Sequence, residues 1–177
     1  MLRLVRPLAL LALMLTGAIF GFFYAWVCST MWGLDAADPR VAIRAMQAMN
    51  ASVRNQVFAP AFFGTPLVLA LAGVACWLAG CRRPAIALFV AAIVYFSGGL
   101  LLTVNINVPM NEALATVVVP DDLAAAATLW REYSATWQFW NQVRTIVSGA
   151  ALLLCGWALL QLPGSPPARP APEASVT

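Results

Sequence analysis

The chain is expected to fold as an all-α integral membrane four-helix bundle with an amphipathic helix between its first and second spans, and three observations predict it. Of its 177 residues, 62% are hydrophobic and 10% charged, far on the apolar side of soluble proteins. Four apolar segments, at about 8–32, 57–80, 85–107 and 137–162, are long enough to cross a bilayer. Between the first two lies a stretch whose apolar residues recur at helical spacing on one side only. The length suits one domain, 8–162, followed by a Pro-rich tail, 163–177, expected to be disordered.

Composition also narrows the chemistry. All ten basic residues are arginine and there is no histidine, so the usual general base and the commonest metal ligand are missing. The net charge of +3 is dispersed, with no basic and aromatic interleaving that would suit nucleic acid. Cys28, Cys76, Cys81 and Cys155 contain no C-x-x-C pair and read as structural thiols, with no metal or thiol-redox role expected.

Arg3 and Arg6 precede an apolar run from Leu8 to about Trp32, longer than the hydrophobic part of a signal peptide and without a convincing cleavage site, hence a first span. Gly17, Gly21, Ala25 and Ser29 form a small-residue stripe on it, a packing signal. Asp38 and Pro39 make an N-cap and first helical residue for the amphipathic segment. Its face of Ala42, Met46, Met49 and Val53 opposes Arg40, Arg44, Gln47 and Arg54, which suits a helix on the membrane surface or capping the bundle. Asn50 and Asn55 flank its end and either cap the helix or point into a site, with capping favoured for Asn55.

The second span carries Pro60, Gly64 and Pro66 near its start, and the short Cys81-Arg82-Arg83-Pro84 connection makes an antiparallel hairpin with the third. That third span ends in Asn105-Ile106-Asn107-Val108-Pro109-Met110-Asn111, where a residue before proline is pushed from helical geometry and a break or kink is expected. Pro120, Asp121 and Asp122 look like a helix start with acids at its N-terminus, and that helix can run on into the fourth span. Arg3, Arg6, Arg82, Arg83 and Arg169 lie on the side of the termini, against Arg40, Arg44, Arg54 and Arg131 in the long connections. The positive-inside rule then predicts a multi-pass protein of the bacterial inner membrane with cytoplasmic termini.

Two constellations carry polar groups into this apolar frame. Trp130, Tyr133, Trp137, Trp140, Asn141, Arg144 and Ser148 share about a third of one helix circumference. An arginine there costs about 2.5–3.5 kcal/mol at a helix centre, so Arg144 is either an interfacial anchor or a functional cation. The second constellation is Asn105, Asn107 and Asn111, which either satisfy backbone freed by Pro109 or form a polar pocket floor. Asn105 and Asn107 point about 200° apart on a regular helix, so one pocket cannot use both unless the helix unwinds. Glu112 has two readings, a salt bridge to Arg144 and a base; Asp38, Asp121 and Asp122 are capping acids.

The pattern Asn107-x-Pro109-x-Asn111, followed by Trp137-x-x-x-Asn141-x-x-Arg144, resembles the anthrone oxygenase-like family of small integral membrane proteins. The order of a Gly-Phe-Phe-rich first helix, a polar connection, a hairpin and these two motifs is also similar, over about residues 10–160. The resemblance implies oxygen-dependent oxidation of a lipophilic aromatic or polyketide-like substrate, as in members that turn an anthrone into an anthraquinone. No cofactor is demanded, because the electron-rich enolate can itself pass an electron to oxygen. On this reading Trp137, Trp140 and Tyr133, with Asn105, contact the substrate, while Arg144, Asn141, Asn107 and Asn111 donate to its oxygen and Glu112 is the candidate base. The expected partners are the lipid bilayer and a hydrophobic small molecule. The alternative is a non-catalytic membrane protein, a binder of a hydrophobic molecule or an accessory subunit, held together by the same polar residues.

Overall fold

The structure, a computed structural model, describes residues 2–163; the tail expected to be disordered lies, but for Pro163, outside the described residues. Among these every regular element is helical, and four helices are long and apolar enough to span a membrane. Helix α1 runs through Leu2–Ala25, a π-helical stretch Trp26–Thr30 and a last turn Met31–Asp35. The amphipathic helix α2 is Pro39–Ser52 and the second span α3 is Phe58–Leu78. Helix α4 continues from Arg82–Val94 through π-helical Tyr95–Leu101 and Thr103–Asn107 to Val108–Ala115. Helix α5 is Leu123–Leu160.

The chain is a multi-pass membrane bundle in which α1, α3, α4 and α5 follow one another around a ring and α5 closes on α1. The tight turn between α3 and α4 is made by Gly80 at φ 80°, a backbone state that costs glycine nothing and other residues strain. At 38 residues α5 is about 57 Å long, nearly twice the hydrocarbon thickness of about 30 Å. Its first turns therefore stand beyond the membrane.

There α2 docks. Asp38 caps it, accepting from the Arg40 backbone N–H at 2.9 Å, and Pro39 is its first residue. Hydrogen bonds from the Arg40 side chain and backbone hold the Asp38 carboxyl down at about 2. Gln47 donates to the carbonyls of Leu114 and Val117 at 2.9 and 3.0 Å. Asp122 caps α5 with acceptors for Ala124 and Ala125. Asn55 bridges two helices, donating to Ser52 O of α2 and accepting from the N–H groups of Val57 and Phe58 at the start of α3. The molecule has two apolar cores. One fills the ring of spans around Phe23, Leu69, Leu88, Tyr95 and Ala151, and the other, with Met31, Ile43, Met46, Leu114 and Trp130, seals the cap.

Two expectations are corrected. Helix α4 does not break at Val108-Pro109: Val108 is helical at φ −64°, ψ −50°. The wider π-helical turn just before it gives the proline ring room, and Thr103 and Asn105 donate to the carbonyls of Gly99 and Leu101 within that stretch. The stripe on α1 is not the main packing face either, since Gly21, Ala25 and Ser29 are exposed. A tight contact falls instead between α4 and α5 at Gly98, where a Cβ would lie 2.7 Å from Val147 Cγ1.

Tyr95 ties the hairpin together. Its hydroxyl donates to Phe62 O at 2.9 Å, fully buried. That carbonyl is the one whose helical partner would be the N–H of residue 66, and residue 66 is proline. Tyr95→Phe is therefore expected to cost about 1–3 kcal/mol, seen as a lower melting temperature in detergent. Adding Pro66→Ala, which restores the missing N–H, should recover most of the loss; an unaffected melt in the single variant would refute this account.

Candidate functional site

Where the membrane core meets the cap, all five helices line a cavity of about 480 Å³, within the usual size range of small-molecule sites, about 300–1,000 Å³. Helices α3 and α4 pack together from the Gly80 turn as far as the Tyr95–Leu101 stretch and diverge beyond it, and the Tyr95 bond to Phe62 lies below the resulting space. Aromatic rings make the walls. Phe22 and Phe58 approach to 4.8 Å between centroids, Phe58 and Phe62 stack at 5.2 Å, and Trp26 leans on Trp137 at 5.0 Å. Phe63 and Val104 line the cavity and are also 57% and 42% exposed on the outer surface of the bundle. It thus opens sideways between α3 and α4, and also toward the exposed Arg54, Asn55 and Gln56 of the turn after α2.

The polar groups come from three helices. Arg144 of α5 is 4% exposed and lines the cavity. Its Nη2 donates to Asn141 Oδ1 at 2.9 Å and its Nη1 to Thr103 Oγ1 at 3.4 Å. The guanidinium carbon sits 4.6 Å from the centroid of Phe23 and 5.2 Å from that of Trp137, within cation–π range. Asn141 is fastened in turn, its Nδ2 donating to Phe23 O beside the π-helical stretch of α1 at 3.1 Å. The W-x-x-x-N-x-x-R spacing puts all three side chains on one face of α5, and Asn141 fixes where the cation stands.

On α4 the residues four apart, Thr103, Asn107 and Asn111, form a row. Asn111 lines the cavity, and its Oδ1 accepts from Tyr133 Oη at 2.8 Å and Trp137 Nε1 at 3.0 Å. Asn50 of α2 donates to the Tyr133 oxygen at 3.3 Å. Asn107, between them, is fully buried. Among the described residues the buried side-chain polar atoms without a hydrogen-bond partner are Asn107 Nδ2, Asn107 Oδ1 and Arg144 Nε. Such orphans are rare in folded proteins.

Other predicted site residues stand elsewhere. Asn105 is exposed and back-bonds to Leu101 O at 2.7 Å. Trp140 does not line the cavity and packs edge-on against the exposed Phe139. Glu112 faces outward and pairs with Arg54 at 3.2 Å, not with Arg144; the docking of α2 brings Arg54 to it. Tyr133 reaches the cavity only through Asn111 and Asn50. Asn50, one of two asparagines expected either to cap α2 or to point into a site, lines the cavity, and the phenylalanines of α1 and α3, Trp26, Met49 and Arg54 line it without having been expected there. The i, i+4 pairs Phe22/Trp26 and Phe58/Phe62 were the available signal.

Among the described residues no three histidine, cysteine, aspartate or glutamate side chains converge on one point. The cavity presents a guanidinium and amides, a donor set matched to an oxygen bearing negative charge. Asp35, which lines a second cavity of about 340 Å³, is already taken up by donors from Trp130, Ser134 and Gln138 at 2.7–2.9 Å, a clamp between the ends of α1 and α5. A family model described as anthrone oxygenase matches residues 54–154, more than half of the chain, including α3, α4, Trp137, Asn141 and Arg144. Searches of curated proteins and of solved structures give no match.

Proposed function

Because the chain belongs to the anthrone oxygenase family, we propose that it uses molecular oxygen to oxidise a lipophilic aromatic or polyketide-like substrate held in the cavity between the membrane core and the cap. In the reaction of an anthrone, the ring methylene loses two hydrogens. One atom of O₂ becomes the new carbonyl oxygen and the other leaves as water. The substrate's enolate is itself the electron donor, so the reading needs no flavin or metal. What it does need is a flat apolar slot and donors at the enolate oxygen. The observation that carries the reading is the buried Arg144 set against an aromatic-walled cavity. In this reading Phe22, Phe23, Trp26, Phe58, Phe62 and Trp137 hold the ring system. Arg144 and Asn111 face its oxygen and Asn141 positions Arg144, while Asn107, fully buried, stands outside the lining. A sideways mouth suits a substrate that partitions into lipid.

Oxygen uptake and quinone absorbance, followed with an anthrone and the purified protein in detergent, test this. The expected result is a saturable, protein-dependent rate above autoxidation, with one O₂ consumed per quinone formed. A rate equal to that of heat-denatured protein would overturn it; saturable binding without turnover would mark a binder instead.

The same reading places the termini and the Arg82-Arg83 turn in the cytoplasm of a bacterial inner membrane, and the capped end with its cavity on the outer side. A single cysteine at Gly80, in a chain with its own cysteines replaced by serine or alanine, should resist a membrane-impermeant thiol reagent in intact cells. One at Thr116 should react. The reverse pattern would invert the topology.

A further inference from the structure

We infer that the cavity takes its ligand as a lipophilic oxyanion, the conjugate base of a weakly acidic phenol or enol, and that the proton is lost to water and not to a group of the protein. This rests on reading the cavity as the substrate site, and it names the charge state that the site selects.

The argument starts from charge balance. Arg144 is nine-tenths buried and its partners are neutral: the amide of Asn141, the hydroxyl of Thr103 and two ring faces. Among the described residues the ion pairs are Arg40 with Asp38 and Arg54 with Glu112, so no carboxylate balances the buried guanidinium. Arginine keeps its proton in such surroundings, and a charge taken from water without a counter-charge is costly. Its Nε lacks a hydrogen-bond partner as well. An anionic oxygen entering beside Arg144 supplies the missing counter-charge and an acceptor at once.

The fate of the proton follows from what surrounds the cavity. Its lining contains Arg54 and Arg144 but no aspartate, glutamate or histidine. Helices α1 and α3 contribute no charged or titratable side chain to that lining. From the turn after α2 comes Arg54, engaged at the rim by Glu112 of α4, whose carboxylate is turned outward. The Tyr95 hydroxyl of α4 is spent on Phe62 O and the Tyr133 hydroxyl of α5 on Asn111 Oδ1. None of these is placed as a base. The O–H bond of the ligand, or the acidic C–H of its keto form, therefore breaks with its electron pair staying on the ligand, and the proton passes to solvent as the anion settles against the guanidinium.

The probe is 4-nitro-1-naphthol, whose neutral and ionised forms absorb at different wavelengths, with its methyl ether as the partner that cannot ionise. Bound to the full-length protein in non-ionic detergent, the naphthol should ionise about 1–3 pH units lower than in empty micelles. The shift should persist largely in Arg144→Lys and vanish in Arg144→Gln. Wild-type protein alone also decides the matter if the glutamine variant does not fold: above the naphthol's ionisation midpoint the naphthol must displace the ether by tenfold or more. Equal affinity for the two compounds, or an unshifted midpoint in wild type, overturns the inference. Anion binding without oxygen uptake would leave it standing and sink the oxidation; oxygen uptake without anion preference would do the opposite.

Discussion

Replacing Arg144 with methionine is expected to remove anthrone oxidation while leaving the melting temperature in detergent equal to, or above, that of the unsubstituted protein. The two effects separate because the guanidinium serves a ligand more than it serves the bundle. Removing a donor aimed at a developing oxyanion typically costs about 10²–10³-fold in rate. Stability runs the other way. Arg144 is buried without a carboxylate partner, and methionine fills a similar volume with apolar atoms among Phe23, Trp137 and the aromatic walls. Exchanging buried charges for apolar side chains of like size is often neutral or stabilising by about 1–4 kcal/mol. The opposing loss is one hydrogen bond to Asn141 Oδ1, with the longer contact to Thr103, about 1–2 kcal/mol together. A variant that melts well below the unsubstituted protein yet still oxidises the substrate would show that Arg144 is a strut.

Asn111→Asp and Asn111→Leu should fail in different ways. The Asn111 oxygen accepts from Tyr133 Oη and Trp137 Nε1, and a carboxylate accepts from both equally well. The aspartate variant should keep its fold, but it puts a negative charge on the cavity wall that also carries Arg144. Repulsion of an anionic ligand by a like charge at this range is worth about 1–3 pH units, or at least about tenfold in affinity. The leucine variant instead leaves two donors without an acceptor. Each costs about 1–3 kcal/mol when buried, and the loss should appear as a depressed melting temperature. Titrating the naphthol anion and melting both proteins separates the cases. Asn111→Asp binding the anion as well as the unsubstituted protein would remove Asn111 from the ligand's surroundings.

The capping chemistry was readable residue by residue. Asp38 before Pro39, Asp122 ahead of α5 and Asn55 at the start of α3 each do what their side chains do locally, and such effects need no knowledge of the rest of the chain. Proline was read less well. Pro109 predicts a break from local sterics, but the π-helical stretch Thr103–Asn107 just before it makes room for its ring. The pairing of Glu112 was also missed. Its partner Arg54 is 58 residues away and arrives only because α2 folds over the end of the bundle.

The order of apolar and polar residues alone shows that this chain spans the membrane as four helices with an amphipathic cap. It also determined the places where polar side chains interrupt the apolar runs, because a backbone in lipid must satisfy its hydrogen bonds within helices and every exception stands out. It carried the family as well, through the order and spacing of the Asn107–Asn111 and Trp137–Arg144 motifs. Which of those polar residues share a space depends on how the helices assemble. The splay of α3 from α4 makes the cavity, and the π-helical turns set the rotation that buries Asn107 while leaving Asn105 outside. The cap commits Glu112 to Arg54. Rotation, splay and docking are sums of many contacts between residues distant in the chain, and no local pattern encodes them. That is why Arg144 is conspicuous in the sequence, while its lack of any acidic partner emerges only once the helices are assembled.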